Sequence, residues 1–373
     1  MALSIRDDCF LRRPHRLKLG LFHTNVSGGQ AVTKVDERWS ANWEDNKTIA
    51  QMADDAGLDF ILPVARWKGY GGETDFNGYN LETLTWAAGI LASTEQIGIF
   101  GTVHAPLIHP IFAAKQMVTA DHIGRGRFGL NIVCGWNVTE FEMFGMEARD
   151  HESRYLFAQE WWDIILKIWS TKERFDFNGR WFQLKQVIGD PKPYSGGRPA
   201  VMNAGASETG RDFAARNCDV LFTSMISPEQ AQTDLDPFRA MGKKYGRDVA
   251  AFTFTYVVCR PSRKEAEAYH DFYANEMADW EGAENLMDSL GMYTHTFPTE
   301  VLGMLRSRFA GGHGAYPLIG TPDDIAAGLK SISDAGLAGT TIAFVNYIDE
   351  FPYFRDEVLP RLEVLGLREK SPG

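Results

Sequence analysis

RFGLNIVCGWNVTEF, residues 127–141, packs Phe128, Leu130, Ile132 and Val133 into one short apolar run with an amide, Asn131, in its middle. A run of this length, apolar on both sides of the backbone, reads as a strand buried on both faces, the kind a parallel sheet contains. Helical patterns stand on either side. His109 with Pro110 at the first helical position opens one that runs to Ile123, and another runs from about Asp150 to Trp169. Helix, buried strand, helix is the repeat of an α/β chain.

The same repeat extends in both directions. Upstream, Lys18 to Phe22 reads as a strand, followed by a helix with Ile49, Met52, Ala53 and Ala56 on one face and Gly57 just past its end. Leu58 to Leu62 and Ile97 to Thr102 are the next strands, separated by a helix with Leu84, Ala87, Ala88 and Leu91 in its stripe, for which Asn80 is the expected cap. Downstream, Phe175 and Phe177 alternate up to Asn178-Gly179, a dipeptide suited to a type I′ hairpin turn. Strands follow at Ala200 to Ala204, Asp219 to Thr223, Phe252 to Val258 and Thr340 to Val345, with Ser227-Pro228 and Thr321 starting helices between them. Eight strands alternating with helices is the count of a (β/α)8 TIM barrel, an α/β fold. The rival, a doubly wound sheet, is expected to carry GxGxxG after its first strand, and HTNVSGGQ does not. One barrel domain over 1–373 is therefore expected. Residues 283–317 fit no strand and carry Gly303, Gly311, Gly312 and Gly314, so they read as an insertion before the eighth strand, a lid near the barrel mouth.

Composition limits the partners. With 44% hydrophobic residues the chain can bury a large core, and a net charge of −11 argues against nucleic acid or an acidic membrane surface, both of which need a basic patch. No apolar run reaches the roughly 18 residues of a membrane span, and Cys9, Cys134, Cys218 and Cys259 show no paired spacing, so a cytoplasmic location is expected. No HxH or HExxH pattern occurs, and no metal is expected.

Barrel chemistry sits at the C-terminal ends of strands. The polar residues there are His23, Asn25, Arg66, Thr102, His104, Asn131, Asn203, Ser207, Tyr256 and Asn346. No lysine is among them, which disfavours a Schiff base. NAGASETG, residues 203–210, puts Gly205 and Ser207 between a strand and a helix, where backbone N–H groups favour an anion. Taken alone, a plain N-cap with a tight turn explains those residues.

NVSGG, GYGGETDFNGYNLETLT, HPIFAAKQMVTADHIGRGRFGLNIVCGW, HESRY and LIGTPDDIA, in this order, resemble the luciferase-like flavin-dependent monooxygenases, nearest their dimethyl-sulfone and pyrimidine oxygenase branches. The resemblance runs from about residue 17 to residue 363. It implies a two-component enzyme: FMN arrives reduced, as FMNH2, from a separate NAD(P)H:FMN reductase, and O2 is the co-substrate. It implies that Asn131 lies by the flavin, that Arg154, Tyr155, Gly205 and Ser207 hold the phosphate region, and that Ala65, Arg66 and Glu140 complete the cofactor set. Thr102 aligns with a threonine facing the oxygen site, and with Asn131 and His104 makes up the expected catalytic group. Trp136, Tyr256 and His313 are the expected substrate contacts. The seventh strand, FTFTYVV, lacks the arginine that grips a sulfonate in alkanesulfonate monooxygenases, which favours a small neutral or heterocyclic substrate. A sulfone- or sulfonate-cleaving monooxygenase, an F420-dependent reductase, a metal-dependent hydrolase and a non-catalytic flavin-binding relative are the alternatives. A homodimer or homotetramer is expected from the family.

Overall fold

In the computed structural model, which describes residues 3–147, 149–292 and 299–369, the strands are β1 (Lys18–Phe22), β2 (Phe60–Leu62), β3 (Gly98–His104), β4 (Phe128–Val133), β5 (Phe175–Asn178), β6 (Gln183–Val187), β7 (Ala200–Asn203), β8 (Val220–Phe222), β9 (Ala250–Cys259), β10 (Tyr316–Gly320) and β11 (Gly339–Ile342). Nine of them form one sheet in the order β10-β9-β11-β1-β2-β3-β4-β7-β8, and a further pairing of β8 with β9 closes eight into a ring. With a helical segment after each ring strand, the fold is the expected (β/α)8 barrel. Parallel strands covered on both faces are buried along their length and are mostly apolar. All seven positions of β3 are buried accordingly.

Contacts divide the chain into two compact units, one holding β3 to β8 and the other β1, β2 and β9 to β11. In the first, the helix His151–Ser170 buries Trp161, Trp162, Ile165, Ile168 and Trp169, so its tryptophans belong to the core. The indole N–H groups of Trp161 and Trp169 donate to the carbonyls of Ile108 and Ala114, at 2.8 and 3.2 Å.

Two local expectations are overturned. The N-cap of helix Thr83–Ala92 is Glu82, whose carboxylate accepts from the N–H groups of Leu84 and Thr85; Asn80 instead donates to the carbonyls of Asn77 and Gly78. Neither Asn178 nor Gly179 adopts the positive φ of a type I′ turn. The chain turns over a longer loop, because the Glu160 carboxylate accepts from the N–H groups of Arg180, Trp181 and Phe182 at 2.8–3.0 Å. A distant helix thus sets a turn that its own dipeptide does not.

The second unit holds a strand that the periodicity of the sequence does not show. Among the described residues β10 pairs, in parallel, with β9 alone, from Tyr316 opposite Thr255 to Gly320 opposite Cys259. Pro317 hid it, since proline has no N–H to give a ladder, and an edge strand is where that loss is tolerated. Most of the remaining 283–317 segment that is described is helical, in Trp280–Ser289 and Thr299–Gly312; residues 293–298 lie outside the described residues. Thr321 starts the next helix with a capping box, paired with Asp324.

Candidate functional site

In the first unit, β3 and β4 set Thr102 directly opposite Asn131. Asn131 Nδ2 donates to Thr102 Oγ1 at 3.2 Å. Asn131 is 6% exposed, and its Oδ1 has no hydrogen-bond partner among the described residues. An unpaired buried amide oxygen costs about 1–3 kcal/mol, so this position calls for a donor that the described residues do not supply.

The chain then turns at Gly135. Its φ of 89° suits glycine, and a Cβ there would come within 2.5 Å of the Phe141 ring. The Gly135 carbonyl accepts from Arg154 Nη1 at 2.5 Å. Trp136 follows, half-buried, and Asn137 caps the short helix Val138–Met143. That helix carries Glu140, 1% exposed, with Oε2 3.8 Å from Nδ1 of His104, which is also buried. The separation exceeds a hydrogen bond and becomes an ion pair on protonation of the imidazole. Cys134 is no nucleophile, since burial pushes its thiol up to about 12.

Arg154 and Tyr155 stand near the start of helix His151–Ser170, where Asp150 accepts from the Ser153 N–H at 2.9 Å. Arg154 Nε is buried without a partner among the described residues. A Cβ on Gly210 would come 2.5 Å from the Tyr155 hydroxyl, and one on Gly205 would come 2.6 Å from Gly210 Cα, so this turn admits no side chain at either glycine. Ser207 caps helix Glu208–Asn217, accepting from the Gly210 N–H at 3.1 Å, and also hydrogen-bonds Tyr155. Burial raises the Tyr155 phenol, which keeps it a donor. A phenol that reaches a hydroxyl at a helix N-terminus, with a guanidinium on the neighbouring residue, is an arrangement able to receive an anion. Asn203 serves the backbone instead, donating to the Ile132 carbonyl at 2.7 Å and accepting from Gly205 N–H at 2.9 Å, which braces the turn.

The other expected residues lie in the second unit. Ala65 and Arg66 follow β2, both buried, with the Arg66 guanidinium 5.8 Å above the Tyr70 ring. Tyr256, on β9, is 3% exposed; its hydroxyl lies 3.0 Å from His270 Nε2, and a Cβ on Gly312 would come 2.0 Å from its ring. His313 is half-buried, with its ring edge-on to His23 at 4.8 Å between centroids. Asn25 braces the loop after β1, donating to the carbonyls of Val64 and Leu81. Asn346 is an N-cap that accepts from Ile348 and Asp349.

Two arrangements are invisible in the sequence. The approach of Glu140 to His104 leaves no trace in spacing. Gln30, 1% exposed with neither end of its carboxamide partnered among the described residues, is signalled only as a polar residue closing the Ser-Gly-Gly turn. Among the described residues, no group of three or more His, Cys, Asp or Glu is placed to hold a metal ion, and no helix is long and apolar enough to cross a membrane.

Comparison with known proteins adds to this geometry. A family model described as luciferase-like monooxygenase matches residues 17–339. The chain is 30% identical over 351 residues to pyrimidine monooxygenase RutA of Acinetobacter baylyi, covering 92% of this chain and 94% of the relative. It is 28% identical over 361 residues to the FMNH2-dependent dimethylsulfone monooxygenase of Pseudomonas fluorescens, covering 95% and 97%. The crystal structure of DmoA from Hyphomicrobium sulfonivorans superposes with a TM-score of 0.85 at 21% identity, over 95% of this chain and 90% of the other, a likeness of fold.

Proposed function

The chain belongs to the luciferase-like monooxygenases, and from that premise we propose that it takes reduced FMN from a separate NAD(P)H:FMN reductase and uses O2 to oxygenate a small, uncharged organic substrate. The observation that carries the reading is the anion cradle of Arg154, Tyr155 and Ser207, tied through the Gly135 carbonyl to the strand that presents Asn131. A flavin phosphate suits the cradle's charge, and the unpaired Oδ1 of Asn131 suits an N–H of the flavin ring. Bound reduced FMN supplies the electrons that activate O2.

Each residue then has a role. Arg154, Tyr155 and Ser207 hold the phosphate, with Gly205 keeping the turn tight against it. Asn131 orients the ring through Oδ1, and its Nδ2 keeps Thr102 Oγ1 aimed at the reacting oxygen. His104, with Glu140 beside it, is poised to hold or pass a proton. Ala65 and Arg66 complete the cofactor set, and Trp136, Tyr256 and His313 contact substrate. The family relationship supports a homodimer or homotetramer working in the cytoplasm.

Removing the cradle's cation gives the direct test. A charge-assisted phosphate contact contributes about 1.5–3 kcal/mol, so Arg154→Ala is expected to weaken FMN about tenfold to a hundredfold in an anaerobic fluorescence titration. Riboflavin, which lacks the phosphate, is expected to bind the unaltered protein correspondingly weakly. Equal affinities for riboflavin and FMN would refute the cradle. Oxygen uptake in the presence of reduced flavin separates a monooxygenase from a reductase of the same fold.

A further inference from the structure

We propose that Gln30, His23 and His313 form a subsite for an uncharged substrate group that carries a hydrogen-bond donor and an acceptor side by side, as a lactam, a cyclic urea or a secondary amide does. Naming that group as part of the substrate rests on the monooxygenase reading above.

Gln30 supplies the first observation. Buried to 1% exposure, it leaves both Nε2 and Oε1 without partners among the described residues. A carboxamide buried in this state is unfavourable unless something beyond the described residues offers it both an acceptor and a donor. His23 supplies the second. Its Nδ1 lies 3.2 Å from the carbonyl of Gly29, the residue before Gln30. A carbonyl only accepts, so Nδ1 carries the hydrogen and Nε2 presents a lone pair. Asn77 fixes this arrangement from the other side, donating to the same Gly29 carbonyl at 3.2 Å and to the Ser27 carbonyl at 2.9 Å. His313 packs edge-on against His23, with its own Nδ1 buried and unpartnered among the described residues.

Charge selects among ligands. Burial, with His313 and then Arg66 adding to it, holds His23 well below the usual histidine range, and burial followed by Arg66 takes His313 down to about 3. All three side chains are therefore neutral near pH 7. A carboxylate or sulfonate would set only acceptors against the lone pairs of His23 Nε2 and Gln30 Oε1. An N-alkylated amide would leave the same two atoms unpaired. A secondary amide meets both needs: its carbonyl accepts from Gln30 Nε2 while its N–H donates to one of those lone pairs. Phe76 and Tyr70, at 6.1 and 6.2 Å from the His313 ring, provide apolar surface for a flat ring.

The test uses the full chain loaded with FMN, its histidines labelled with 15N, and three probes: 2-piperidone, N-methyl-2-piperidone and pentanoate. The expected result is that 2-piperidone shifts the ring nitrogens of His23 and His313, identified by their loss in His23→Gln and His313→Phe chains, and binds at least tenfold more tightly than the other two. Gln30→Met is expected to abolish that preference while leaving FMN affinity unchanged and the melting temperature equal or higher, since the atoms it removes had no partners. Equal binding of the three probes overturns the proposal. So does a Gln30→Met chain that melts lower or fails to fold, which would make Gln30 a structural group. FMN binding with no imidazole response to the lactam removes the subsite and leaves the flavin reading intact. A lactam response in a chain that does not bind FMN does the reverse.

Discussion

Thr102→Val is expected to slow oxygenation about a hundredfold or more while FMN affinity changes little. Valine keeps the shape of threonine and removes the hydroxyl that receives Asn131 Nδ2 at 3.2 Å. Loss of one preorganised polar group beside developing charge costs about 2.7–4 kcal/mol of transition-state stabilisation. Thr102→Ser restores the hydroxyl and should recover most of the rate, which separates the hydroxyl's chemistry from a change in packing. Asn131→Ala should damage both oxygenation and flavin binding, because its Oδ1 is the buried acceptor that the ring is proposed to satisfy. Stopped-flow mixing of the reduced complex with oxygen measures these rates. A native rate in Thr102→Val would leave Thr102 a strand-end packing residue.

Asp59→Asn should remove about 3–5 kcal/mol of stability without touching the flavin site, the penalty for leaving a buried charge unpaired. Asp59 is fully buried, and its carboxylate accepts from Leu19 N–H at 2.9 Å and Arg368 Nη1 at 2.7 Å, with His15 Nδ1 2.8 Å away. Arg368 is buried as well, so the asparagine variant would strand its guanidinium. Burial alone would raise the Asp59 carboxyl, but Arg368 and His15 outweigh it and hold the group below the usual carboxylate range. A depressed acid stabilises the fold above its unfolded pKa and loses that contribution as pH falls through the folded one. In urea melts the gap between native and variant protein should therefore be full at about pH 7 and narrow only below about pH 4. A gap that already closes between about pH 7 and 5 would contradict this pairing.

Several features of the chain are legible in its residues alone. Buried parallel strands leave apolar runs, and every ring strand lies at or within a few residues of its sequence position, with β1 and β4 matching at both ends. Caps are legible for the same local reason. His109, Asp150, Ser207 and Thr321 each accept from an N–H two or three residues ahead, a distance at which the sequence still shows both partners. Where a competing group stands just as near, the local pattern misleads, as with Glu82 taking the cap expected of Asn80. The strand-end rule picks out Thr102, Asn131, His104 and Ser207 as polar groups, and the family resemblance attaches roles to them.

What the sequence by itself determined was thus the β/α order, the barrel and the polar residues at its strand ends, because these depend on periodicity and on hydrogen bonds between near neighbours. Only the tertiary structure decided which of those groups meet. The β3–β4 register set Thr102 opposite Asn131, and the helix after Gly135 carried Glu140 to His104. Glu160 fixed a hairpin turn from another element, and Pro317 was admitted to a strand because that strand is an edge. His23 and His313, from opposite ends of the chain, met ring to ring. Contacts of that kind close long loops, and they are held by the packing of whole elements instead of by any local pattern, so no spacing in the sequence records them.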